Sequence, residues 1–223
     1  MTIKINLHEL KLLFIFANQI VGFYLKDSKE HILEVSFNLF LQKNFKEVTM
    51  QEIVEKTGLS KGAFYHYFKS KEQVFEEVIN HYYTDYIISD YSIFSQTSLV
   101  QFYTDVLLER KRKVTNSKMM DTNEDKVFTS NHYFLIFDAM KLLPDFKKQR
   151  MQQQKDELKA WIKIIGVAKK SKEIHSKMDD DKTAKLFIYS GKGAGINCIM
   201  DDNVDSTKEI KALWDGLYNE LKK

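Results

Sequence analysis

The sequence predicts an all-α chain, with a small three-helix unit toward the amino terminus and a larger helical bundle behind it. Three observations carry that prediction. Helix breakers are scarce, one proline and eight glycines in 223 residues, which favours helices joined by short turns. Apolar residues recur at three- and four-residue spacing over long stretches, the periodicity of a one-sided helix. Thr49 with Glu52, and Ser70 with Gln73, are placed as capping boxes, in which a hydroxyl and a carboxylate or amide satisfy the free amides of a helix start. Apolar residues at 43% and aromatics at 13% are enough to bury a substantial core.

Composition also excludes some chemistry. The single cysteine, Cys198, precludes an intramolecular disulfide and a cysteine-based zinc site, and fits a reducing cytoplasm. His8, His31, His66, His81, His132 and His175 are scattered, with no pair one helical turn apart, so no metal or other cofactor is expected. No nucleophile elbow and no glycine-rich cofactor loop in the right context occurs, so an enzyme is not expected. A net charge of +3 and a pI near 8.6 are too mild to indicate nucleic acid. Placement of charge has to decide that question.

The first stretch, residues 1–26, reads as an amino-terminal extension. Its core, LLFIFANQIVGFYL over residues 12–25, is the most apolar run in the chain but is interrupted by Asn18 and Gln19. It is shorter than the roughly 20 residues a spanning helix needs, and no membrane span is expected. A targeting segment, an extra helix packed on the body, and a start codon assigned too far upstream all remain open.

From Asp27 the local signals agree. Asp27 or Ser28 caps a helix whose Ile32, Leu33, Phe37, Phe40 and Leu41 form one stripe. It is expected to end near Lys43 and Asn44, where asparagine tolerates left-handed backbone. Thr49 opens a second helix, with Met50, Ile53 and Val54 inward and Gly58-Leu59 as the turn that ends it. Ser60 caps a third, Lys61 to Tyr67. Two short helices joined by a glycine-containing turn are the form of a helix-turn-helix, whose second helix enters a DNA major groove. Ser70 then opens a longer helix with Val74, Phe75, Val78, Ile79 and Tyr82 on one stripe.

The faces of the third helix are unusual. Phe64 and Phe68 anchor it, while Lys61, Gly62, Tyr65 and His66 lie opposite, with Ala63 at the boundary. Gly62 costs about 1 kcal/mol of helix stability relative to alanine, and is easiest to justify where backbone must approach another molecule. From Ser60 to Lys71 there are three lysines and no acid, whereas Asp27 to Glu72 as a whole balances seven lysines against seven acids. Positive charge is therefore gathered on the proposed reading face and its flank, as phosphate contact requires.

The stretch TMQEIVEKTGLSKGAFYHYFKSKEQVF, Thr49 to Phe75, closely resembles the tetracycline-repressor (TetR) family of regulators, and the run from Gly58 to Glu72 matches the family pattern nearly position by position. The likeness extends from Lys29 to about Tyr83. Departures are small: Asn44 stands where glycine is usual, Phe37 follows Ser36 where alanine is common, and Thr57 replaces a frequent alanine. The resemblance implies a three-helix DNA-binding domain over 27–72, a helical effector-binding and dimerisation domain over 73–223, and a homodimeric, ligand-responsive regulator, usually a repressor, on double-stranded operator DNA. It implies phosphate contacts from Thr49, Ser60, Tyr65 and Lys71, and places Lys61, Gly62, Ala63 and His66 near base edges or the adjoining backbone.

The remaining chain carries no motif of that strength. Helical stripes run over Leu99–Val114, His132–Leu143, Pro144–Ala168, Asp181–Met200 and Ser206–Leu221, with loops near 116–123 and 201–205. Tyr103, Phe134, Phe137, Met140 and Trp161 are candidate walls of an effector pocket, the effector being an apolar or aromatic small molecule. Gly191-Lys192-Gly193-Ala194-Gly195 lacks the strand and the ending of a phosphate loop, and reads instead as a close helix–helix contact. Leu186, Gly191, Gly195, Ile199, Leu213 and Leu217 are candidate dimer residues. Arg110-Lys111-Arg112-Lys113 reads as a solvated helix end. A protein partner in place of the small molecule is the alternative means of control.

Overall fold

A computed structural model describes residues 28–87, 89–116, 130–200 and 206–223. The segment 1–26 with its apolar run, the Asp27 cap, and most of the two expected loops lie outside the described residues. Every regular element described is helical. None of these helices is long and apolar enough to cross a membrane. The chain divides into two compact units, one up to His81 and one from Tyr82 to Lys223.

In the first unit, helix α1 spans residues 28–42. Its buried stripe is Ile32, Leu33, Phe37 and Phe40, joined by Leu39, while Leu41 stays half-exposed. Ser36 is fully buried because its hydroxyl donates to the Ile32 carbonyl at 2.6 Å. Asn44 does not take the left-handed conformation expected of it, since Lys172 is the sole non-glycine with positive φ among the described residues. Its side-chain oxygen accepts instead from the amides of Lys46 and Glu47 at 3.0 and 3.1 Å, a side-chain turn that serves the same end. Phe45 then folds back onto Phe40 and Phe75, with ring centroids 6.0 and 4.8 Å away.

Helix α2, Met50–Thr57, starts at Thr49, whose hydroxyl accepts from the Glu52 amide at 3.1 Å, a cap that contributes about 1 kcal/mol. It stops at Gly58, where φ is 67° and a side chain would be strained. Helix α3, Lys61–Tyr67, is capped by Ser60 through the Ala63 amide. Helix α4, Lys71–Ile87, begins with the Ser70 hydroxyl accepting from Gln73 at 3.2 Å. The return arm of that box reaches one residue further back, with Gln73 Oε1 accepting from the Lys69 amide at 2.8 Å. Val74, Phe75, Val78 and Ile79 complete the core of this unit.

The second unit adds a 3-10 turn at Tyr91–Ile93 and helices α5 (Leu99–Asn116), α6 (Ser130–Leu142), α7 (Pro144–Lys170), α8 (Asp180–Met200) and α9 (Ser206–Leu221). Pro144 suits the first turn of α7, where its missing amide costs nothing. Asp179 caps α8 by accepting from the amides of Asp181 and Lys182. The start of α5 is capped from far along the chain: the Glu173 carboxylate accepts from the Leu99 and Val100 amides at 2.9 and 3.1 Å and from the Ser98 hydroxyl. Trp161 sits at the centre of the bundle, stacked on Phe187 at 5.0 Å and edge-on to Phe102 and Trp214. The Trp214 indole donates to the Phe187 carbonyl at 2.8 Å, so its polar edge is satisfied within the core.

Candidate nucleic-acid interface and ligand cavity

The outer face of α3 is built from behind. Phe64 and Phe68 are 0% and 1% exposed, their centroids 6.1 Å apart, and they fix the helix's rotation about its axis. That rotation leaves Lys61, Gly62, Ala63, Tyr65 and His66 exposed together. A Cβ added at Gly62 would meet nothing within 4 Å, so packing inside this chain gives no reason for a glycine there. The face carries a cation at its first residue, Lys61, and rings a turn further along, Tyr65 and His66, with open space at Gly62 between them.

The hydroxyls of Thr49 and Ser60 accept from helix amides, which leaves each O–H hydrogen available to an outside acceptor. Glu52 is engaged by Lys43: a hydrogen bond from that lysine at 2.5 Å, aided by the Thr49 amide, outweighs its partial desolvation and holds its carboxyl below the ordinary carboxylate value. Lys71 is held in a way the sequence does not announce. Its ammonium donates to the carbonyls of Phe45 and Val48 at 2.8 and 2.7 Å and lies 4.3 Å from the Phe45 ring centroid. Two of its three N–H bonds are thus used to tie the start of α4 to the loop before α2, and one remains.

In the second unit a cavity of about 360 Å³ opens among α5, α6, α7, α8 and the 3-10 turn. Of the five expected wall residues, Phe137 and Met140 line it. Tyr103 and Trp161 are instead solid core, each 1% exposed, and the Tyr103 hydroxyl is engaged by Asp215 at 2.8 Å. Phe134 is 63% exposed and off the wall. Sequence reasoning missed Tyr91, Phe94 and Tyr133, and it missed the charged side chains of the wall entirely: Glu109, Arg110, Lys113, Arg150, Glu157 and Lys192. The basic run is more than a solvated helix end, because Arg110 and Lys113 face the cavity while Lys111 is exposed. Spacing offered a signal, since residues three apart share a helix face. The Tyr91 hydroxyl is pushed well above its ordinary pKa, chiefly by burial and further by the nearby Glu157.

The six dimer candidates separate. Gly191 is buried, and a Cβ there would come within 2.7 Å of Trp214 Cζ2. Gly195 faces the Arg110 guanidinium, where a Cβ would lie 2.8 Å from Nη2. Both glycines therefore serve contacts within one chain, α8 against α9 and α8 against α5. Leu186 and Leu213 are each 43% exposed, Leu217 packs half-buried on the core, and the Ile199 side chain lies outside the described residues. Leu186, Tyr189 and Met200, with Gly193 between them, form an exposed stripe along α8.

Comparison with known proteins bears on the first unit most directly. Residues 32–78 match the family model described as bacterial regulatory proteins, tetR family. The chain is 41% identical over 59 residues to the HTH-type transcriptional regulator YuxN of Bacillus subtilis (strain 168), a match covering 26% of this chain and 20% of that protein. It thus spans about a fifth of the length of that relative. A longer match, 25% identical over 162 residues, covers 73% of this chain and 76% of the HTH-type regulator YdgC of the same organism. The solved complex of SmeT with triclosan has the same fold, with a TM-score of 0.59 at 14% identity over 87% of this chain and 91% of that one. Residues 32–78, which include α3 displayed as described, thus form a domain matching the tetR family of bacterial regulatory proteins.

Proposed function

We propose that the protein is a sequence-specific DNA-binding transcription regulator, acting in the cytoplasm as a homodimer and released from its operator by a small molecule bound in the α5–α8 cavity. One observation carries the reading: an exposed α3 face of Lys61, Gly62, Ala63, Tyr65 and His66, clamped from behind by two buried phenylalanines, with open space where Gly62 lacks a side chain. Thr49, Ser60 and Tyr65 fix register on phosphates, with Lys71 contributing its remaining N–H, and Lys61 and His66 reach base edges. Gly62 and Ala63 let the helix backbone approach the groove.

The dimer forms through the outer faces of α8 and α9, and binding to successive major grooves requires its two reading helices to stand about 34–36 Å apart, one turn of duplex. SmeT, which shares the fold, forms a complex with triclosan. A small-molecule site in the present chain is supported by the size of the cavity, within the range of such sites. Selection of the full-length protein on a random duplex library tests the reading. Enrichment of a two-fold symmetric site is expected, with Tyr65→Phe weakening all sequences alike and His66→Ala changing preference at single positions. Failure to enrich any sequence refutes it.

A further inference from the structure

The cavity carries an imbalance of charge that its own walls do not resolve. Arg110, Lys113, Arg150 and Lys192 face Glu109 and Glu157, four cations against two carboxylates. Both carboxylates are already engaged. Glu109 accepts a two-pronged grip at 2.7 Å from Arg112, which is not part of the wall, and Glu157 accepts from Lys192 at 2.6 Å. Among the described residues neither Arg110 nor Arg150 forms an ion pair, and Arg110 is met by a neutral group, the Ser206 hydroxyl at 3.3 Å.

The fold also makes room for this guanidinium. A Cβ at Gly195 on α8 would lie 2.8 Å from Arg110 Nη2, so the guanidinium rests in space that a side chain there would take. Half-buried guanidinium groups are costly to leave uncompensated, and they match planar oxyanions with paired N–H donors. Around them the wall is aromatic and aliphatic, from Phe94, Phe137, Met140 and Ile188.

We infer that the cavity takes an amphipathic organic anion, with an apolar body against Phe94, Phe137 and Met140 and a carboxylate, sulfonate or phosphate group held by Arg110 and Arg150. This rests on the reading of the cavity as the effector site and adds the charge class of its ligand. A cationic ligand would meet Arg110 and Arg150 and, among the described residues of the wall, has no unengaged carboxylate to pair with.

Two fluorescent probes of nearly the same shape test it: anilinonaphthalenesulfonate, and phenylnaphthylamine, which lacks the sulfonate. Both are titrated into the full-length protein, and displacement of the first by the second establishes that they share one site. The sulfonate is expected to bind about tenfold or more tighter than the neutral probe. Arg110→Gln and Arg150→Gln are each expected to weaken the sulfonate by about tenfold to a hundredfold, the loss of a charge-assisted hydrogen bond, and to leave the neutral probe within about twofold. Arg110→Lys should recover part of the loss. Circular dichroism checks folding, and if Arg110→Gln unfolds the chain, Arg150→Gln and Arg110→Lys carry the decision. Equal affinity for both probes, unaffected by either glutamine variant, overturns the anion assignment and leaves the cavity reading standing. A sulfonate that the neutral probe does not displace also overturns it. Failure of both probes to bind at all overturns the cavity reading and this inference together.

Discussion

Lys71 gives the sharpest test of how the DNA-reading unit is held together, because the family resemblance implies one role for it and the geometry shows another. Replacement by methionine keeps the apolar stem and removes the charge. Two hydrogen bonds vanish, to the carbonyls of Phe45 and Val48 at 2.8 and 2.7 Å, together with the cation's contact with the Phe45 ring. Val48 is 0% exposed and Phe45 9%, so water reaches the abandoned carbonyls poorly. Hydrogen bonds to charged groups contribute about 1.5–3 kcal/mol when well shielded. Lys71 itself is half-buried, which halves that figure through solvent screening and gives a loss of about 2 kcal/mol for the pair. For a chain of this size that is a drop in Tm of about 4–8 °C. Differential scanning calorimetry of Lys71→Met and Lys71→Arg measures it, and the salt dependence of operator binding, taken below the transition, measures the phosphate role separately. A lysine that also neutralises one phosphate lowers the slope of log affinity against log salt by about one unit. An unchanged Tm in Lys71→Met refutes the structural role argued from the two carbonyls.

Four further outcomes are expected. Gly191→Ala drives a Cβ to 2.7 Å from a Trp214 ring fixed by its hydrogen bond to Phe187; overpacking of about 1–3 kcal/mol exceeds a helix gain of about 1 kcal/mol, so urea midpoints should fall, while Gly216→Ala, where a Cβ meets nothing, should raise them. Glu173→Ala removes the acceptor of the Leu99 and Val100 amides and should cost about 1–3 kcal/mol in the same assay; a loss near zero would mean water replaces the cap. Arg112 holds the Glu109 carboxyl below its ordinary 4.5, and at Asp215, ordinarily 3.8, hydrogen bonds from Lys211 and Tyr103 outweigh a burial that pushes upward. Lowered folded values mean the unfolded chain binds more protons, so this stability is present above the ordinary carboxylate range and is lost as pH falls through the lowered folded values; Tm against pH should flatten in Glu109→Gln and Asp215→Asn, and parallel curves would contradict it. Tyr189→Glu with Met200→Glu, on the exposed α8 stripe, should shift sedimentation from dimer to monomer, and an unshifted dimer places the interface elsewhere.

The short-range chemistry of the first unit was legible because its partners lie within a few residues of one another. Thr49 finds Glu52, Ser60 finds Ala63, and Gly58 needs nothing but its own backbone. Where two local solutions compete, sequence chose less well. Asn44 closes the end of α1 through its side chain and not through left-handed backbone. Leu39 is buried in place of Leu41: it follows the buried Ser36 by three residues, just as Leu41 follows Phe37 by four, so periodicity allows either. Lys71 was beyond reach altogether, because its carbonyl partners stand 26 and 23 residues away.

In the bundle the helices were legible and their faces were not, for a physical reason that α8 shows most clearly. Hydrophobicity marks a side chain as leaving water, and it does so equally for a core, a cavity wall and an interface between copies. Tyr103 and Trp161 are core, Phe137 is wall and Phe134 is open surface, although all read alike. Helix α8 carries all three roles around one axis. Phe187 and Ala194 enter the core, Ile188, Gly191 and Lys192 line the cavity, and Leu186, Tyr189 and Met200 look outward. In the proposed ligand-responsive dimer, a ligand in the cavity presses on the inner face of the same helix whose outer face meets the second copy. Gly191 against the Trp214 ring leaves little slack on that side for the helix to absorb the push locally. Ligand and partner then act on one equilibrium, and each can bias the other only by the difference in its affinity for the two positions of α8.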